Sequence, residues 1–147
     1  MRFMMIVKAN ADSEAGKLPP DELIAAMAKY NEELMKAGVL VDLAGLQSSA
    51  KGARVHFSAS TGKITVTDGP FAETKELIAG YWIINVKSKA EAIEWAKRIP
   101  APHGVTQDGV IEIRQFFELE DFQPSEAVDQ HKALGEKLAA SKKSGAA

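Results

Sequence analysis

The sequence predicts an α+β domain: an antiparallel sheet with two helices on one face, a β-hairpin inserted between strands, and a helical appendage behind it. Three observations carry that prediction. Two stretches repeat apolar residues at helical spacing, four others are short apolar runs bounded by turn formers, and one pair of segments alternates with period two around a glycine. The chain of 147 residues is long enough to bury a core without disulfides or metal.

"RFMMIVKA" (Arg2–Ala9) is an apolar run with turn formers behind it, so a buried strand is expected. "NADSEAGK" reads as a loop. Pro19 and Pro20 suit a helix entrance, and Asp21 and Glu22 fall in the first turn, where the helix dipole favours acids. Leu23, Met27, Tyr30 and Leu34 then form one helical stripe, which Gly38 ends in the C′ position that tolerates a left-handed backbone. "VLVDLAGL" (Val39–Leu46) is the second strand.

In "ARVHFSA" and "KITVT", Val55 and Phe57 alternate with Arg54, His56 and Ser58, and Ile64 and Val66 with Lys63, Thr65 and Thr67. With Ser60, Thr61 and Gly62 between them, these are the arms of a hairpin. "AGYWIINV" (Ala79–Val86) is apolar on both faces, as a central strand is. "SKAE" (Ser88–Glu91) is a capping box that opens a helix burying Ala92, Trp95, Ala96 and Ile99, and Pro100 and Pro102 stop it. "GVIEIRQFF" (Gly109–Phe117) is the last strand.

Without the hairpin the order is βαββαβ, the split-βαβ pattern of ferredoxin-like folds. Helices on one face leave the other face open, and both residue sets of the strands are largely apolar. Such a surface calls for a partner, so a homodimer is expected in which two sheets face one another as an α+β barrel. Residues 1–117 form this domain. From Glu118 the chain turns acidic, bends at Pro124 and offers a weaker amphipathic helix with Val128, Leu134 and Leu138, so 118–147 is read as an appendage with a frayed end.

Composition narrows the function. Apolar residues make up 46% and charged residues 26%, the balance of a soluble globular chain, and a formal charge of -2 leaves no broad basic surface for nucleic acid. The absence of cysteine excludes disulfides, thiolate zinc sites and cysteine nucleophiles. No apolar run approaches the ~20 residues of a membrane span, and "MRFMMIVKAN" is too short for a signal peptide, so no membrane partner and a cytoplasmic location are expected. His56, His103 and His131 show no HxH or HExxH spacing, so neither a metal nor another cofactor is expected.

"NEELMKAGVLVDLAGLQ", "VTDGPFAETKELIAGYWIINV" and "EAIEWAKRIP", in this order, resemble the YCII-related superfamily and within it the DGPF-domain branch. The resemblance spans roughly Met1 to Phe117 and implies a dimeric ferredoxin-like α+β barrel. It implies no one reaction. Most members have no established activity, some are encoded beside sigma factors or transport genes, and related barrels include muconolactone isomerases, heme-degrading monooxygenases and dehydrochlorinase-like enzymes. The family's first-helix histidine, half of an implied His–Asp pair, is replaced by Met27, which removes that proton-transfer partner.

"TDGPFAETKE" (Thr67–Glu76) holds the candidate site. Asp68 is the candidate catalytic residue, a carboxylate that moves protons if its pKa is raised in a crevice. The structural alternative is an Asx-turn in which Asp68 accepts backbone N–H groups, Gly69 supplies φ freedom and Pro70 fixes φ. Phe71 is a pocket wall or a packing residue. Glu73, Thr74, Lys75 and Glu76 stand at a ligand mouth or on a solvated turn, Lys75 being the candidate anion contact. Arg114, on the face of Glu112, holds a substrate carboxylate or pairs with Glu112 or Asp68. Tyr81 and His103 are further candidate ligand contacts, each with a packing or solvated alternative. Three functions follow from these residues: a small-molecule-binding dimeric barrel, a cofactor-free lyase or isomerase acting through Asp68 on a small acid, and an interaction partner in a regulatory complex.

Overall fold

The computed structural model describes residues 1–145. Six strands follow in chain order: β1 (Arg2–Lys8), β2 (Leu40–Gly45), β3 (Ala53–Phe57), β4 (Ile64–Asp68), β5 (Ile78–Asn85) and β6 (Ile111–Gln115). Between and after them run the helices α1 (Ala11–Glu14), α2 (Asp21–Lys36), α3 (Lys89–Lys97) and α4 (Glu126–Gly145). The main sheet has the order β2-β5-β1-β6 and is antiparallel throughout. With β3 and β4 set aside as a separate two-stranded sheet, this is the ferredoxin-like α+β arrangement.

Strand alternation divides the main sheet into two faces. Phe3 and Met5 on β1 are in register with Ile84 and Trp82 on β5, and all four are buried with Tyr30 and Leu34 of α2 and Ala92 of α3. Phe3, Met5, Leu34 and Ile84 are the largest side chains that are fully buried. Each such side chain stabilises the fold by about 1.5–3 kcal/mol relative to an exposed one. Polar stitches fix the two helices over this core. The Tyr30 hydroxyl donates to the Trp95 carbonyl at 2.8 Å, the Trp82 indole donates to Asn31 Oδ1 at 2.7 Å, and Arg98 pairs with Glu33 while lying over the Trp95 ring. Burial pushes the Tyr30 phenol well above its ordinary pKa, so it stays a hydrogen-bond donor.

The face turned away from α2 and α3 differs from the expectation of two largely apolar faces. Its centre is apolar, with Met4, Ile6, Tyr81 and Ile83, but Glu112 and Arg114 of β6 stand opposite Ile6 and Met4. These two pair with each other at 3.5 Å, and Lys8 lies 3.9 Å from Glu112. Charges flank an apolar strip because β6 is an edge strand, and edge charges discourage open-ended pairing.

A second difference lies in residues 10–17, read from the sequence as a loop. Asn10 accepts the Ser13 N–H through its side chain while the Ser13 hydroxyl accepts the Asn10 N–H, and this reciprocal cap opens the single turn of α1. Two other helix ends carry the caps expected of them. Ser88 accepts the Glu91 N–H at the head of α3, and Gly38 follows α2 with φ +70°.

The β3–β4 ribbon pairs Val55 with Val66 and Phe57 with Ile64, so these four share one side. All four are exposed, as is every other residue of the two strands. The chain divides after Gln115. Within the unit that begins at Phe116, the Phe117 and Phe122 rings meet at 5.3 Å and Ser125 caps the start of α4, whose Leu134 and Leu138 are exposed.

Candidate functional site

The TDGPF corner is shaped by its approach to the short 3₁₀ turn Ser49–Lys51. Asp68 ends β4 opposite Ala53, and the Gly69 N–H donates to the Gly52 carbonyl at 3.0 Å. A Cβ on Gly69 would lie 1.7 Å from the Ser49 carbonyl oxygen, so no side chain fits there. The glycine is required for close backbone contact and not for a positive φ, which it does not adopt. The Gly69–Pro70 peptide is cis.

Beyond the corner three distant segments are tied together through one hydroxyl. Ser49 Oγ donates to Glu14 Oε2 at 2.5 Å and accepts the Phe71 N–H at 3.0 Å, while the Ser49 N–H donates to Glu14 Oε1 at 3.0 Å. α1 therefore delivers a carboxylate, the 3₁₀ turn a serine and the corner a backbone amide to one point. The Arg54 guanidinium lies 3.8 Å from the centre of the Phe71 ring, which ties β3 to the same corner.

These groups border an open groove of about 280 Å³, lined by Glu14, Leu46, Gln47, Ser49, Phe71, Glu76, Leu77 and Ile78. Its walls are mostly apolar, and its polar lining residues are Glu14, Gln47, Ser49 and Glu76. A depression of about 290 Å³ lies along α3, but Glu91, Glu94, Trp95, Lys97 and Arg98 all come from that helix and its cap. A furrow along one helix offers no converging groups, so the groove at the corner is the better site.

Of the residues singled out in the sequence, the groove takes in Phe71 and Glu76. Asp68 is exposed, lies outside the lining and accepts no side-chain hydrogen bond of an Asx-turn among the described residues. Lys75 is exposed on the 3₁₀ turn Thr74–Glu76. Tyr81 stands in the main sheet between Ile6 and Ala44 in register, and Arg114 is paired with Glu112. His103 donates from Nε2 to the Lys8 carbonyl at 2.8 Å. Near it, Asp12 accepts from Lys17 at 3.0 Å and from Gln107 at 3.1 Å, and these partners hold its carboxyl below the ordinary aspartate range. No group of three His, Cys, Asp or Glu side chains suited to a metal is found among the described residues.

Sequence reasoning missed Glu14, Ser49 and the wall Leu46, Leu77 and Ile78. The Asn10–Ser13 cap, which turns residues 11–14 into a helix and so aims Glu14, was a legible signal. Nothing local to "GLQSSAKG" announced that its serine would meet that carboxylate.

The family model of the YCII-related domain matches residues 1–120. An uncharacterized protein of Rhizobium meliloti (strain 1021) is 40% identical over 76 residues, which cover 52% of this chain and 56% of that relative. The match thus spans about half the length of the curated relative.

Proposed function

We propose that this chain, which belongs to the YCII-related family, is a small-molecule-binding protein whose site is the groove beneath the TDGPF corner, and that it works as a homodimer. The observation that carries the reading is the convergence on Ser49. Three segments far apart in sequence spend their hydrogen bonds on holding one corner over an apolar groove, where a plain turn needs only local ones. The corner's own residues favour the DGPF branch as the finer family assignment. For the homodimer, the support is the half-buried Met4, Tyr81 and Ile83 around the buried Ile6 on the sheet face turned from α2 and α3, a face suited to a second sheet.

A fragment screen read by ¹H–¹⁵N correlation spectra of the full chain tests the site. Bound fragments are expected to shift the amides of Ser49, Phe71, Leu77 and Ile78 together, and Phe71→Ala to weaken them by about tenfold, since aromatic walls carry much of such contact area. Shifts confined to other surfaces would sink the reading. Sedimentation equilibrium tests the dimer separately, with Ile83→Lys expected to yield monomers.

A further inference from the structure

We propose that the groove selects a ligand with an apolar body and an ammonium head, and that Glu14 receives the head. This rests on the small-molecule reading above and adds to it the sign of the ligand's charge.

The hydrogen-bonding character of the groove is the first argument. Glu14 is acceptor-only when ionised, with about four lone-pair directions on its two oxygens, of which Ser49 N–H and Oγ–H use two. Ser49 has no proton left for a ligand, because its single O–H is directed at Glu14 while its oxygen takes the Phe71 N–H. The centre of the site is therefore a held carboxylate with spare acceptor capacity. A carboxylate ligand brings only acceptors to that point, whereas an ammonium brings three donors.

Charge is the second argument. Glu14 and Glu76 are the ionisable lining residues, and no Lys, Arg or His lines the groove. Two cations stand at its border, and each is already engaged there. Lys8 Nζ donates to the Glu76 carbonyl at 3.3 Å and lies 3.9 Å from Glu112, and Arg54 covers the Phe71 ring. An anion entering between Glu14 and Glu76 meets like charge, while a cation meets its opposite. The apolar body of the ligand has Leu46, Phe71, Leu77 and Ile78 to lie against. A volume of about 280 Å³ lies just below the range of ligand pockets, which run from about 300 Å³ upward, so the fitting compound is small.

Phenethylamine and 3-phenylpropionate share a ring and a short chain and differ in the charge of the head. Each is titrated into the full-length protein and followed through the amides of Ser49, Phe71, Leu77 and Ile78. Phenethylamine is expected to shift these amides saturably, 3-phenylpropionate at least tenfold more weakly, and Glu14→Gln to reduce the amine's affinity by about tenfold. Equal or tighter binding of 3-phenylpropionate, above all if it disappears in Arg54→Ala, overturns the proposal and leaves a small-molecule site of the opposite preference. If neither compound shifts these amides while other fragments do, the ammonium assignment falls alone. If no fragment of any kind reaches them, the binding reading falls with it.

Discussion

The sheet beneath α2 and α3 and the ribbon of β3 and β4 are both antiparallel and both rich in Val, Ile and Phe, yet they are held in opposite ways. In the first, Phe3, Met5, Leu34 and Ile84 are sealed from water and the strands are positioned by what they bury. In the second, Phe57 is 76% exposed, and Val55, Ile64 and Val66 are more than half exposed. What anchors the ribbon is its base, where Gly69 seats against Ser49, Gly69 N–H meets the Gly52 carbonyl and Arg54 lies over Phe71. An isolated two-stranded hairpin is marginal in water, so such a ribbon depends on its anchor. The lesson is that apolar composition does not reveal where stability lies. The core stabilises the fold through area, and the corner gains its geometry from a few directional contacts.

The contrast is sharpest where the expected effect is largest. Leu34→Ala or Ile84→Ala removes a fully buried side chain and is expected to cost about 2–5 kcal/mol, read from urea unfolding midpoints. A loss under about 0.5 kcal/mol would place these residues with the exposed ribbon and erase the distinction. Gly69→Ala comes next. Its Cβ cannot coexist with the Ser49 carbonyl, and a clash of that kind costs about 1–3 kcal/mol, with amide shifts expected at Ser49 and Phe71 while those of Met5 and Ile84 stay in place. Unchanged Ser49 and Phe71 signals would show that the corner is not anchored by this contact.

Ser49→Ala removes the hydroxyl that links Glu14 to the Phe71 N–H, and about 1 kcal/mol is expected from the lost bonds. Its more telling signature is faster hydrogen exchange at Phe71, which no change in the core would produce. On the ribbon itself, Phe57→Ser is expected to stay within about 0.5 kcal/mol of wild type by the same urea measurement, because an exposed side chain has little burial to lose. A cost approaching that of Leu34→Ala would mean that the ribbon's apolar side is covered in solution.

The smallest expected effect is electrostatic. Lys17 and Gln107 hold the Asp12 carboxyl below its ordinary value of 3.8, so the charged form is favoured in the folded chain. A depressed carboxyl contributes stability that is present above the unfolded pKa and lost as the pH falls through the folded one. The gap between wild type and Asp12→Asn should thus be constant near neutrality and close as the pH drops below the ordinary aspartate range. A gap that persisted at pH 2 would assign the difference to packing, not charge.

By itself the sequence determined the six strands, the long helices and their order, though not the single turn of α1, because each rests on a local rule. The stripe of Met27, Tyr30 and Leu34 makes an amphipathic helix, Ser88 caps the next one while Glu91 takes the Lys87 N–H instead of closing a full capping box, and the period-two arms around Gly62 close a hairpin. Removing that hairpin from the order was enough to predict the ferredoxin-like sheet. The residues of the corner were legible as special, but their roles were not. Gly69 was read as a residue needing unusual φ, and only the chain packed across it made the absent Cβ the reason. Asp68 drew attention by its residue type and ended exposed, while Glu14, unremarked in a supposed loop, came to border the groove. Local physics depends on neighbours in the chain and can be read along it. A groove depends on which distant groups meet, and only the tertiary structure could bring Glu14, Ser49 and Phe71 together.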